Sequence, residues 1–113
     1  MNAKTQSIEL GGKSYPVNFG LWTLRCFCKE QNLKLGDLQN LTENMDFDTM
    51  IGLAYHGLKG GARVEKKKFE LTPIQVADIL DLDEKGFEKI MSVFSGSASS
   101  DEIAEEGNQK GAK

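Results

Sequence analysis

The stretch MDFDTMIGLAYHGLKGG, from Met45 to Gly61, decides how the rest of the chain is read. Counted from Phe47, the residues Phe47, Met50, Ile51, Ala54 and Leu58 recur at the spacing that places them on one face of an α-helix. Asp46 or Asp48 suits the N-terminal end, where free backbone N–H groups favour an acceptor and a negative charge. Gly60-Gly61 suits the C-terminal end, because glycine takes the left-handed conformation that closes a helix. Leu53 and Tyr55 flank the stripe and widen it. A helix this apolar needs neighbours on more than one side, so the stretch is expected to be the central helix of a small domain.

Upstream, Ser7 to Phe19 reads as a β-hairpin. Ile8 and Leu10 alternate with polar residues, Gly11-Gly12 follows, and Tyr15, Val17 and Phe19 alternate again. A Gly-Gly pair between alternating runs marks a turn in which both residues take positive φ. Pro16 cannot donate to a ladder, which places its strand at an edge or leaves its N–H side free. A lone hairpin is marginal in water and must lie on something. Gly20 to Gln31 reads as the first helix, with Leu21, Leu24, Phe27 and Cys28 on one face. Trp22 and Cys26 lie on another face, beside Arg25 and Lys29. That second strip is either covered by the hairpin, the commoner use of a large aromatic residue, or left for a partner.

The segment Asn32 to Glu43 is Leu-rich, with Gly36-Asp37 placed to open a brief helix. Beyond the central helix, Ala62 to Leu71 breaks the pattern and reads as a connection. Its Lys66-Lys67-Lys68 run has no interleaved aromatics and reads as solvated. Thr72-Pro73-Ile74-Gln75 is a helix start, with a cap, a proline at the first helical position and a capping box. Ile74, Val76, Ala77, Ile79 and Leu80 make that helix apolar on most sides, so burial is expected. Asp83 is placed to cap a last helix lined by Phe87, Ile90, Met91 and Phe94. From Ser95 to Lys113 the chain is Ser, Gly, Glu and Lys around one large apolar residue, Ile103. Such a segment buries too little surface to offset its ordering entropy. It is expected to be a disordered tail, with a transient helix over Asp101 to Glu106.

The fold expected is therefore α+β, mostly α: an N-terminal hairpin packed on a bundle of about four to five short helices. The division expected is a flexible start over residues 1–6, one domain over 7–94 and the tail over 95–113. With 39% hydrophobic residues in 113, a single modest core is what the chain can build. A net charge of −3 argues against a general nucleic-acid binder. No apolar run is long enough to span a bilayer, and the opening MNAKTQSIEL lacks the apolar core of a signal peptide. The chain is expected to stay in the cytosol where it is made. Cys26 and Cys28 are rotated from each other by roughly 200° on a helix, which suits two reduced, packed thiols rather than a disulfide or a zinc site. His56 is the sole imidazole. It lies opposite the Phe47 stripe with no nucleophile placed beside it, so no catalytic residue, metal or cofactor is expected.

Four stretches, in order, carry a likeness: IELGGKSYPVNFG with Leu24 and Phe27, DFDTMIGLAYHGLK, LTPIQVADILD, and FEKIMSVF. Together they cover Ser7 to Phe94, and in that order the chain resembles the small tail assembly chaperones of long-tailed phages and prophages. The resemblance implies a non-catalytic binding protein of virion assembly. Such proteins escort the elongated helical tape-measure protein and help tail-tube subunits polymerise around it. Many are also made in a longer, frameshifted form, whose extension would join where Ser95 to Lys113 lies. The rival reading is a cytosolic adaptor or regulatory module of similar fold. The protein-binding residues expected are Trp22, Arg25, Cys26 and Lys29, with Tyr55 and His56. Their partners would be the tape-measure and tail-tube proteins and a second copy of the chain, with no nucleic acid, membrane or small-molecule substrate.

Overall fold

Gly11 and Gly12 both have positive φ, +58° and +85°, the geometry a two-residue hairpin turn needs to match the twist of its strands. The strands it joins are β1, Gln6–Leu10, and β2, Lys13–Val17, paired antiparallel with Leu10 opposite Lys13 and Gln6 opposite Val17. Pro16 faces Ser7 at a position where its missing N–H costs the ladder nothing. The computed structural model describes residues 5–43 and 45–98.

Behind the hairpin come α1, Leu21–Gln31, a 3-10 segment over Leu35–Glu43 with a kink at Asn40, and α2, Phe47–Val64. Helices α3, Pro73–Asp81, and α4, Gly86–Ala98, complete the described residues. The fold is α+β and mostly α, as its periodicities imply. Asn32, at φ +57°, closes α1 in the left-handed conformation. Asp46 accepts a 2.8 Å hydrogen bond from the Thr49 N–H at the start of α2. At the start of α3, Gln75 N–H donates to Thr72 Oγ1 at 3.2 Å and Thr72 N–H donates to Gln75 Oε1 at 2.9 Å. Both orphan donors of that capping box are thereby satisfied.

The core gathers Leu10, Val17 and Phe19 from the hairpin and its exit, Leu24 and Phe27 from α1, and Leu53, Ala54 and Leu58 from α2. Val76 of α3 and Ile90, Val93 and Phe94 of α4 close it. Phe19 meets Phe94 edge to face at 5.4 Å.

What seats the hairpin on α2 is a run of glycines that the sequence places at the helix end. Gly60 and Gly61 are instead inside the helix, which runs on to Val64 and takes in the first residues of the expected connection. A Cβ at Gly61 would overlap the Pro16 carbonyl, one at Gly60 the Thr23 hydroxyl and the Asn18 carbonyl, and one at Gly57 the Phe19 ring. The backbone of β2 and its exit therefore lies directly on α2, and Asn18 N–H donates to the Gly57 carbonyl at 3.1 Å.

This seating redraws the expected stripe. Leu53, expected at its flank, is fully buried, whereas Phe47 is 79% exposed because it sits in the first turn, beyond the elements that cover the rest of the helix. Leu21 is exposed for the same reason at the start of α1. Helix α3 is not engulfed. It lies against α2 on one side, so Val76 alone is buried and Ile74 is 75% exposed. Helix α4 continues through Ser95 to Ala98, four residues past the expected domain end, and β1 begins at Gln6, inside the expected flexible start. Residues 99–113, on which the disordered tail and its transient helix were expected, lie outside the described residues.

A polar clasp ties the last corner to the hairpin. Asp83 Oδ1 accepts from the Lys85 N–H at 3.1 Å, and Oδ2 accepts from Lys89 Nζ at 2.9 Å. The same ammonium donates to the Glu9 carbonyl at 2.7 Å, which also blunts an open strand edge. The hydrogen bond from Lys89 holds the Asp83 carboxyl below its ordinary value, and the Thr49 backbone N–H does the same for Asp46.

Three outcomes are expected. Gly61→Ala raises intrinsic helix propensity by about 1 kcal/mol but forces the hairpin off α2. Its urea unfolding midpoint should therefore fall, with a net loss of about 1–3 kcal/mol or more. Gly36→Ala, where a Cβ meets open space, should be near neutral. For Asp46 and Asp83, lowered folded pKa values mean that their contribution is complete well above the unfolded value near 3.8 and is lost as pH falls through the folded values. Asp83→Asn should accordingly flatten the acid limb of stability against pH below about 4 while lowering the neutral plateau. An unchanged acid limb would show that the clasp does not form.

Candidate functional site

Helices α1 and α2 lie antiparallel. Gln31 at the end of α1 bridges the start of α2, donating to the Asp48 carbonyl at 3.4 Å and accepting from Thr49 Oγ1 at 3.2 Å. At the other end, buried Thr23 abuts Gly60. The absence of a side chain at Gly60 allows a close crossing, and this sets Trp22 and Cys26 of α1 against the outer side of α2. A shallow pocket of about 60 Å³ forms there, lined by Trp22, Thr23, Cys26, His56, Lys59, Gly60 and Arg63.

Trp22 is 55% exposed, so the hairpin does not cover it. The hairpin is occupied with the glycine side of α2. The Arg25 guanidinium lies 4.8 Å from the indole centroid, a cation–π pairing that holds a large apolar ring beside a fixed positive charge. Trp22, Cys26 and His56 thus meet as the sequence suggests, with Arg25 at their margin. Lys29 is exposed in the last turn of α1, where a cation suits the negative helix end, and it does not line the pocket. Tyr55 is next to His56, ring to ring at 5.2 Å, but its other neighbours are Phe69 at 5.5 Å and the Lys59 ammonium at 5.8 Å. It buttresses the face rather than presenting itself on it.

His56 is a joint between the two helices. Its Nε2 lies 2.9 Å from Glu30 Oε1, and its side chain is only 11% exposed, against 51% for Glu30. The ring also stands edge-on to Phe27 at 6.3 Å. His56, expected exposed or at an interface, is therefore not exposed, while its ring lines the Trp22 pocket. The close α1–α2 crossing draws the ring in, and Glu30 holds it there.

Lys59 and Arg63 are the residues that the sequence reading missed. They follow His56 at i+3 and i+7, the spacing of one helix face. That spacing is legible, but without knowing that α1 crosses at Gly60 nothing joins these cations to Trp22. The result is an apolar aromatic patch with a basic margin of Arg25, Lys59 and Arg63. The lysine run at 66–68 is separate: Lys67 pairs with Glu65 at 3.3 Å and Lys68 with Glu70 at 2.9 Å on an exposed connection.

Both cysteines are free thiols. Burial, and then the negative charge of Asp37, push the Cys28 thiol above its ordinary value, which makes it a poorer nucleophile. Among the described residues, no cluster of three or more His, Cys, Asp or Glu is placed to hold a metal, and no helix is long and apolar enough to cross a membrane. What the arrangement offers chemically is contact area and charge. No protein-family model, curated protein or solved structure matches the chain.

The chain holds a single Trp, so its fluorescence reports this face alone. Emission should be red-shifted and readily quenched by acrylamide. Trp22→Ala should cost under about 1 kcal/mol, the range of surface changes. Blue-shifted, quencher-resistant emission together with a destabilised variant would place the indole in the core instead.

Proposed function

We propose that this protein is a non-catalytic chaperone of phage tail assembly that binds the tape-measure protein, tail-tube subunits or both as the tail polymerises. The observation that carries the reading is Trp22, more than half exposed and flanked by Arg25, Lys59 and Arg63. Exposed tryptophan and arginine are the residue types that dominate contact energies at protein interfaces. A long amphipathic helix presents an apolar stripe for the indole and acidic residues for the three cations. Contacts confined to a shallow surface are weak and reversible, which suits an escort that must be displaced when the tail tube closes around its client. The family resemblance of Ser7 to Phe94 names the client; the Trp22 face supplies the chemistry.

Co-expression with the tape-measure and tail-tube proteins of the tail it would serve tests the reading. The wild-type chain should co-purify with one of them and keep tape-measure fragments in solution. Trp22→Ala with Lys59→Glu should lose capture at an unchanged melting temperature. A wild-type chain that captures neither partner overturns the proposal and leaves the adaptor reading in its place.

A further inference from the structure

The outward side of α2 changes sign along its length. Asp48, Gly52, Tyr55, Lys59 and Arg63 fall at i, i+4, i+7, i+11 and i+15 on one side of the helix, exposed at Asp48, Lys59 and Arg63, buried at Gly52 and half-buried at Tyr55. Its first end is acidic, because Asp48 is joined there by Glu30 from α1 and Asp78 from α3, all three exposed. Its far end is basic and carries Trp22, as described above. Between the acids at the first end lies an open groove of about 540 Å³ floored by Ile51, Tyr55, Pro73, Ile74 and Ala77. Ile74, which lines it, is 75% exposed.

The midpoint of the strip falls between Tyr55 and His56. The acidic groove at Ile51 and Gly52 and the Trp-bearing pocket at Gly60 lie on either side of that midpoint at nearly equal spacing. A surface with opposite charges on either side of a centre, an exposed ring at one end and an open groove at the other, can meet its own copy turned by half a rotation. We infer that this face binds a second copy of the chain as a two-fold symmetric dimer. The α2 helices run antiparallel across the axis, and Trp22 of each copy enters the acid-rimmed groove of the other. Lys59 and Arg63 of one copy then oppose Asp48 and Asp78 of its partner twice over, as an isologous interface requires. The strip is about 22 Å long at 1.5 Å per residue. A face of that length is at the small end of specific interfaces, so the dimer is reversible and salt-sensitive. The inference rests on the described surface and is independent of the tape-measure reading. It also implies that dimer formation and partner capture compete for Trp22.

Sedimentation velocity across a concentration series is the measurement. Wild-type protein should pass from monomer to dimer and stop there. Trp22→Ala should weaken the dimer by about tenfold or more, as loss of an interface anchor does. Lys59→Glu/Arg63→Glu makes both halves acidic, and Asp48→Lys/Asp78→Lys makes both basic. Each double variant alone should stay monomeric where the wild type dimerises, and an equimolar mixture should recover dimer mass. Circular dichroism checks that both are folded. If either is not, the wild-type dimer must still weaken by about tenfold between about 50 mM and about 500 mM salt. A wild type that stays monomeric, a mass that climbs past dimer, folded charge variants that dimerise unaided, or a salt-independent dimer would each overturn the inference.

Discussion

The structure depends on three positions of one helix having no side chain. Gly57, Gly60 and Gly61 let the backbone from Pro16 to Phe19 rest on α2 at a separation no Cβ permits. Every other core contact of the hairpin follows from that approach. Phe19 can cross the helix at Gly57 to reach Phe94, Val17 and Leu10 turn inward, and Asn18 shares the Gly57 carbonyl. Glycine inside a helix costs about 1 kcal/mol relative to alanine at each site. The cost is offset here by burial of residues such as Val17 and Phe19, each worth about 1.5–3 kcal/mol when fully removed from water.

The same approach decides what is left outside. With the hairpin on the glycine side, α1, α3, α4 and Phe69 of the connection cover the rest of α2. Helix α1 crosses close at Thr23 and Gly60, and its outward residues, Trp22 and Arg25, are then stranded at the surface. Helix α3 buries Val76 and leaves Ile74 out. Exposed Trp22 at the basic end and exposed Ile74 at the acidic end therefore bracket the sign change of α2.

Polar contacts fix the corners of the fold rather than its centre. Asp46, the Thr72–Gln75 box and the Asp83–Lys89–Glu9 clasp each satisfy backbone groups that a helix end or a strand edge leaves open. None of them joins the Trp22 face, so acid titration of the caps and mutation of the face should act on separate properties.

Whatever depends on near neighbours in the chain was determined by the sequence alone. Gly11-Gly12 specified a positive-φ turn, Thr72-Pro73-Ile74-Gln75 a helix start, and the apolar spacing after Asp46 a central helix, because each rests on backbone geometry within a few residues. Proximity between distant residues was decided only in the tertiary structure. Gly60-Gly61 reads equally well as a helix terminator or as a landing site for a strand, and the difference lies in Pro16, more than forty positions away. The exposure of Trp22, the inward turn of His56 and the recruitment of Lys59 and Arg63 all follow from where α1 crosses α2. That crossing is set by packing volume at Gly60. A periodicity shows which residues share a face, but only the assembled neighbours determine whether that face is covered.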